Sequence, residues 1–308
     1  MKNNIKIIIA LFFTSVGIMA QNQLDPMYTQ YMYNMSIINP AYTTSDVGTI
    51  NGGLIHRRQY AAVDGHVTTS LFGHAALSDK VEVGISYYND NFDDVFTTND
   101  VNADFAYKLN FDNGYTLSLG LKAGANLQSL DNSDIQTANP GDPAFDNTTY
   151  TNFNLGAGAY FNSDKFYVGV SSPNFIQSET SNIDNLDNPN ERQIHAYLTG
   201  GYVFQLSDNV KFKPASIVRM TEGTPLTFDV TANFLLYEKL ELGAAYRLDE
   251  SVSGLINFRI VDNLRLGYAY DFTISEFENS NTGGSHEFLL LFDLNIMSKK
   301  YDKSPRFF

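Results

Sequence analysis

The sequence predicts an all-β protein: a transmembrane outer-membrane β-barrel of about fourteen antiparallel strands with both termini in the periplasm. Three observations carry this reading. Apolar residues alternate with small or polar ones through segment after segment, the alternating runs are long, and tight and extended connections take turns along the chain. Alternation alone marks a sheet whose two faces meet different surroundings, which a soluble sandwich shares. Run length separates the two folds, because soluble strands average about 5 to 6 residues and tilted membrane strands need roughly 9 to 11.

Residues 1–20 read as a cleaved secretory leader, since Lys2 and Lys6 precede the apolar run from Ile7 to Phe13 and small residues Gly17 and Ala20 close it. Residues 21–47 then form a periplasmic N-terminal segment, 48–296 the barrel and 297–308 a periplasmic tail. The leader's apolar core is too short for a membrane-spanning helix, which takes about 20 residues. Only 18% of residues are charged while Tyr (19), Phe (23) and Gly (22) abound, a balance that favours strands. Loss of the two leader lysines leaves 18 basic against 34 acidic residues, which argues against nucleic acid as a partner. With no cysteine there is no disulfide, thiolate metal site or cysteine nucleophile, so an exported chain rests on its hydrogen-bonded sheet.

The clearest alternating run is Leu264 to Ile274, with Leu264, Leu266, Tyr268, Tyr270, Phe272 and Ile274 on one face and Arg265, Gly267, Ala269, Asp271 and Thr273 on the other. Tyr115 to Gln128, Val101 to Phe111, Leu226 to Leu236, Leu240 to Leu248 and Phe288 to Ile296 repeat it. A polar face rich in Gly, Asn, Thr and isolated charges suits a barrel lumen, and Phe111, Tyr115, Phe161, Phe204 and Tyr237 near run ends suit the membrane interfaces. Gly48 to Gln59 is ambiguous in facing because Leu54 and Ile55 are adjacent, and Pro214 implies a bulge or a rim position. Tight turns fall at Ser78–Lys80, Asp112–Gly114, Asn162–Asp164, Ser207–Asn209, Tyr237–Lys239 and Asp262–Asn263, expected on the periplasmic side. The connections Tyr60–Gly65, Asn89–Thr98, Asp131–Thr148, Asn174–Glu191, Met220–Pro225, Asp249–Ser251 and Ser275–Gly284 then face outward.

Four motifs stand in order: Asp25-Pro26 with Gln30-Tyr31 and then Asn39-Pro40-Ala41-Tyr42; Arg57-Arg58-Gln59-Tyr60; Lys213-Pro214-Ala215; and Gly284-Ser285-His286-Glu287. Together they resemble the PorP/SprF family of type IX secretion outer-membrane proteins across essentially the whole mature chain. Tyr60 departs from the family's usual Trp but keeps an aromatic. The resemblance implies a barrel that binds a large secreted adhesin, or its C-terminal domain, alongside type IX secretion components, supports its export or surface anchoring, and serves gliding motility. Alternation and loop counting imply the barrel and a place among outer-membrane lipid. A channel or transporter for a small or hydrophobic solute is the alternative.

The candidate partner-binding or mouth-lining residues are Gln30, Tyr31, Asn39, Pro40, Tyr42, Arg58, Tyr60, Asp93, Asp94, Asp134, Asp187, His286 and Glu287. Proline beside Asn39 fixes a turn that Tyr42 can pack down, which reads as closing or lining the periplasmic mouth, with direct partner contact as the other possibility. His286 and Glu287 read as lumen or rim hydrogen-bonding groups. The polar-face charges Asp104, Lys108, Lys122, Arg247, Arg259, Arg265, Asp271, Glu287 and Asp293 are expected to pair inside the lumen, because an unpaired buried charge is costly. The acidic external loops lack the D-x-D-x-D-G spacing of a calcium loop. His56, His66, His74, His195 and His286 stand in no HExxH or GxSxG context, so no catalytic residue, cofactor or metal is expected.

Overall fold

The computed structural model describes residues 26–43, 45–61, 65–133, 147–175, 194–221, 224–274 and 283–295. The strands are β1 (Thr49–Arg58), β2 (Val67–Ala76), β3 (Val81–Phe92), β4 (Phe96–Asn110), β5 (Thr116–Leu130), β6 (Thr148–Asn162), β7 (Phe166–Asn174) and β8 (His195–Tyr202), followed by β9 (Phe204–Ser207), β10 (Val210–Thr221), β11 (Thr227–Leu236), β12 (Leu240–Arg247), β13 (Ser251–Val261), β14 (Leu264–Thr273) and β15 (Ser285–Asn295). Each pairs antiparallel with its neighbour, and β1 pairs with β15 from Thr49–Asn295 to Arg58–His286, closing the sheet. β8 and β9 both pair with β10 and occupy one position in the wall, so the barrel has fourteen strands. The interruption at Val203 falls between the pairs Phe204–Phe212 and Gly201–Ala215, beside the stretch of β10 that holds Pro214, a residue with no N–H for the ladder.

The polar face points inward. On β14, Arg265 and Asp271 are buried while Leu266 and Phe272 are exposed, and the same parity leaves Ile85, Leu121, Phe153, Phe258 and Phe288 on the outside. That apolar band is the lipid-facing surface of an outer-membrane barrel. Phe111, Phe204 and Tyr237 are exposed at the end carrying the tight turns, where Tyr115 also stacks on Phe161 at 5.6 Å between ring centroids. Thr49 and Asn295 lie on this same rim.

The connection expected over Asn89–Thr98 is shorter than the sequence suggests. β3 continues to Phe92 and β4 begins at Phe96, so Asp93–Val95 alone join them. Asp93 and Asp94 take φ of 54° and 55°, and the Val95 amide donates to the Phe92 carbonyl at 3.2 Å, a tight hairpin turn whose left-handed positions Asp tolerates. The Asn-rich flanks are strand because their side chains pair outside the ladder: Tyr87 Oη and Asn89 Nδ2 both donate to Asn99 Oδ1, at 2.9 and 3.0 Å.

The described part of the N-terminal segment also lies elsewhere than expected. Residues 26–43 do not extend into the periplasm below the barrel but run inside the lumen, through a 3-10 turn at Tyr31–Tyr33 and one helical turn at Met35–Ile38. Tyr28, Tyr31, Met32, Tyr33, Met35, Ile38 and Tyr42 form an apolar core with the inward residues Ile55, Phe72, Tyr160, Tyr167, Ile217, Leu289 and Leu291. The domain's hydrophobic core is therefore enclosed by the wall, while the wall's other apolar face meets lipid.

Candidate functional site: a lumen filled by the chain's own N-terminal segment

The plug touches inward side chains from nearly the whole circumference. Near the long-loop end, the backbone amides of Thr29 and Gln30 each donate to one oxygen of the Glu287 carboxylate at 2.8 Å. Thr29 Oγ1 donates to Asp271 at 2.7 Å, and Arg57 Nη1 donates to Thr29 Oγ1 at 3.0 Å. Lower down, the Tyr33 hydroxyl donates to Glu241, and the Lys213 ammonium sits between the Tyr33 and Tyr167 rings at 5.8 and 5.7 Å.

The Asn39-Pro40-Ala41-Tyr42 motif forms the crossing over β5, β6 and β7. Asn39 Oδ1 accepts from the Ala41 amide at 2.9 Å, closing an Asx-type turn, and Asn39 Nδ2 donates to the Ala159 carbonyl at 3.1 Å. The wall is cut away to admit it: a Cβ on Gly120 would lie 2.3 Å from Pro40 C and Ala41 N, and one on Gly158 would lie 2.1 Å from Asn39 Oδ1. Tyr42 packs edge-on to both His74 and Tyr160. Gly120→Val is therefore expected to unseat the plug at this crossing and destabilise the barrel by about 1–3 kcal/mol, the usual cost of overpacking. A lower midpoint of heat-modifiable gel migration would show it, and an unchanged midpoint would count against the crossing as the seat.

At the tight-turn end the Ser45 hydroxyl meets Asn51 Oδ1 at 2.6 Å and His74 Nδ1 at 2.9 Å, and Lys108 Nζ donates to the Ser45 carbonyl at 3.1 Å. His74 and Lys108 both pair with Glu82, at 2.5 and 2.8 Å.

The lumen charges form discrete buried groups. Arg57 pairs with Asp271 (2.6 Å) and Glu287 (3.2 Å), Asp229 with Arg219 (3.0 Å) and Arg247 (3.1 Å), Arg247 with Glu250 (2.9 Å), Lys122 with Asp104 (2.9 Å), and Arg265 with Glu241 (2.9 Å). Of the nine polar-face charges expected to pair, Asp104, Lys108, Lys122, Arg247, Arg265, Asp271 and Glu287 do so in these buried groups, Arg259 and Asp293 stand half-buried outside them, and Arg57, Glu82, Arg219, Asp229 and Glu241 join without being among the nine. Strand parity from the neighbouring inward residues would have located Glu82, Asp229 and Glu241.

The candidate residues divide by location. Gln30, Tyr31, Asn39, Pro40 and Tyr42 are buried within the lumen, so the motif seats the plug on the wall instead of rimming a mouth. Glu287 holds the plug from the wall. Arg58 and His286 are register partners on the barrel's outer face. Tyr60, with φ of 52°, follows β1 at the long-loop rim, and exposed Asp93 and Asp94 share one turn. Asp134 and Asp187 lie outside the described residues. At the root of the 131–147 connection, the hydroxyl and amide of Ser133, with the Asn147 amide, hold the Asp131 carboxyl below its ordinary value. His66 and His74 share the inward face but pair separately, His66 with Asp90 at 2.7 Å and His74 with Glu82.

Residues 20–292 match the family described as "Type IX secretion system membrane protein PorP/SprF". The chain belongs to the PorP/SprF family. Membership and the barrel place it in the outer membrane with a role in type IX secretion, and point to a secretion protein more than to an enzyme. No curated protein matches the chain at a significant level. Among solved structures it is similar to the CymD monoaromatic hydrocarbon channel (11% identity, TM-score 0.49, 84% of this chain and 91% of that one). It is also similar to the toluene transporter TbuX of Ralstonia pickettii (10%, 0.47, 85% and 93%) and the outer membrane protein Omp33 of Acinetobacter baumannii (10%, 0.44, 80% and 97%).

Proposed function

We propose that this PorP/SprF barrel is a non-catalytic docking protein: it binds a dedicated secreted adhesin through the adhesin's C-terminal secretion domain, together with other type IX components, and supports its export or surface anchoring during gliding. The observation that carries this reading over solute transport is the filled lumen. Residues 26–43 occupy it with an apolar core and hydrogen bonds to the wall at both ends, from the Thr29 and Gln30 amides to Glu287 and between the Thr43 and Ser118 hydroxyls, leaving the rims and loops as the surface offered to a partner. The long-loop end faces outward and the tight-turn rim faces the periplasm, with Tyr60, Asp93 and Asp94 at the docking mouth.

The test is to solubilise membranes in mild detergent, capture the barrel by a tag at its C-terminus and identify what accompanies it. One large secreted protein in near-equal amount is expected, lost when that protein's C-terminal domain is deleted. Recovery of the barrel without a secreted protein would overturn the reading.

A further inference from the structure

Two sequence motifs meet across a single strand pair, and the lumen uses half of each. Arg57-Arg58 closes β1, His286-Glu287 opens β15, and the register sets Arg57 against Glu287 and Arg58 against His286. Successive side chains on a strand point to opposite faces, so the first pair enters the lumen and the second stands on the outer wall. Around the outer pair lie His56 and Thr69, joined at 2.9 Å, and Tyr268, whose hydroxyl lies 2.8 Å from His286 Nδ1. The Tyr270 ring centroid is 5.1 Å from that of His286. Arg58 and His56 are exposed, and Arg58 has no ion-pair partner among the described residues.

This patch sits where the lipid-facing wall stops being apolar. Its register neighbours toward the middle of the barrel are Phe288, Leu71 and Leu266, 53%, 45% and 45% exposed. A cation on the lipid side of a barrel is costly at mid-depth and tolerated near the interface, where lipid headgroups supply counter-charge. The patch is also opposite in sign to its surroundings, for the chain carries a net charge of −14 and the adjacent rim presents Asp93, Asp94 and Asp249. A guanidinium fork, imidazole N–H groups and tyrosine hydroxyls form a donor set for a phosphate.

We propose that Arg58, His286 and His56, with Tyr268 and Tyr270, bind the phosphorylated headgroup of a lipid in the leaflet at the long-loop end. The site is separate from the plug and from the docking mouth, so it stands or falls independently of the adhesin reading. The phosphate lies against Arg58 and His286 while the acyl chains follow the Phe288, Leu71 and Leu266 surface.

The test uses the full-length barrel in mild detergent, supplied with lipid A carrying its phosphates or with the same lipid stripped of them. Native mass spectrometry counts the lipid retained after partial delipidation. Wild type is expected to prefer the phosphorylated lipid by about tenfold, the worth of one good charge-assisted contact. The variant Arg58→Gln/His286→Gln is expected to lose that preference while keeping its heat-modifiable migration, and Arg58→Lys to keep part of it. Inorganic phosphate at the lipid's concentration is expected to leave the retained lipid in place. Equal retention of the two lipids by wild type, undiminished preference in Arg58→Gln alone and in the double variant, or displacement by inorganic phosphate would each overturn the proposal.

Discussion

Wild type is expected to show no stepwise conductance in planar bilayers, and deletion of residues 26–43 is expected to produce it. The wall alone encloses a wide space: eight-stranded barrels are filled by their own side chains, and barrels of 16 to 18 strands leave an aqueous channel. Fourteen strands fall between these, and here the remaining space is taken by Tyr28, Tyr31, Met32, Tyr33, Met35, Ile38 and Tyr42. Removing them exposes Ile55, Ile217 and Leu289 to water and strips Glu287, Glu241 and Lys122 of their plug contacts, so a lower melting midpoint is expected alongside the current. If the deletion impedes assembly, Gly120→Val gives a milder loosening at the Pro40 crossing and is expected to flicker open. Stable wild-type conductance equal to that of the deletion would reject the plug as a seal and return solute transport to first place.

The wall was readable in the sequence because a strand in a barrel obeys a local rule: lipid on one side and a polar lumen on the other impose a period of two on the residues themselves. Leu264 to Ile274 shows that rule at work, and its polar face is the inward face. The plug obeys no such rule. Tyr28-Thr29-Gln30-Tyr31-Met32-Tyr33-Asn34-Met35 is buried on every side, so it has neither a period of two nor an amphipathic helical stripe, and its partners lie up to 258 residues away. Its trace in the sequence is indirect. Ile55, Phe72, Ile217 and Leu289 are apolar residues of inward parity, out of place in a polar lumen unless something apolar packs there. The ambiguity of Leu54-Ile55 has that cause: Leu54 faces outward and Ile55 meets the plug. The Asn89–Thr98 hairpin was obscured differently, since polar strand extensions satisfied by cross-strand amides look like loop to any propensity argument.

The motif residues show the same division between local and distant causes. Pro40 announces a turn by its own geometry, but that the turn lies over Gly120, Gly158 and Gly169 follows from three glycine-bearing strands far along the chain. Arg58 and His286 are adjacent because β15 closes on β1, the one pairing that joins the two ends of the barrel. A closing contact between the first and last strands has the longest possible sequence separation, so neither motif alone reveals the other.

Glu287→Ala is expected to be among the most destabilising single substitutions in the wall, by about 3–5 kcal/mol, the usual cost of removing one member of a buried ion pair. Glu287 is fully buried and serves two structures at once, pairing with Arg57 and accepting from the Thr29 and Gln30 amides. Its removal leaves the buried Arg57 with one carboxylate, Asp271, in place of two and orphans two plug amides, and neither loss can be made good by water in a filled lumen. Glu287→Gln is expected to fall between, since the amide oxygen still accepts from the backbone while the charge is gone. The triple change Arg57→Met/Asp271→Met/Glu287→Met, which clears the whole buried cluster, separates the two roles. If the ion pairs dominate, removing all three charges recovers most of the stability, as replacement of a buried charged cluster by apolar residues of similar size often does. If the plug amides dominate, the triple variant stays as weak as Glu287→Ala, because Met offers them no acceptor. The midpoint of heat-modifiable migration across the four proteins distinguishes these outcomes, and equal midpoints for wild type and Glu287→Ala would remove Glu287 as the link between plug and wall.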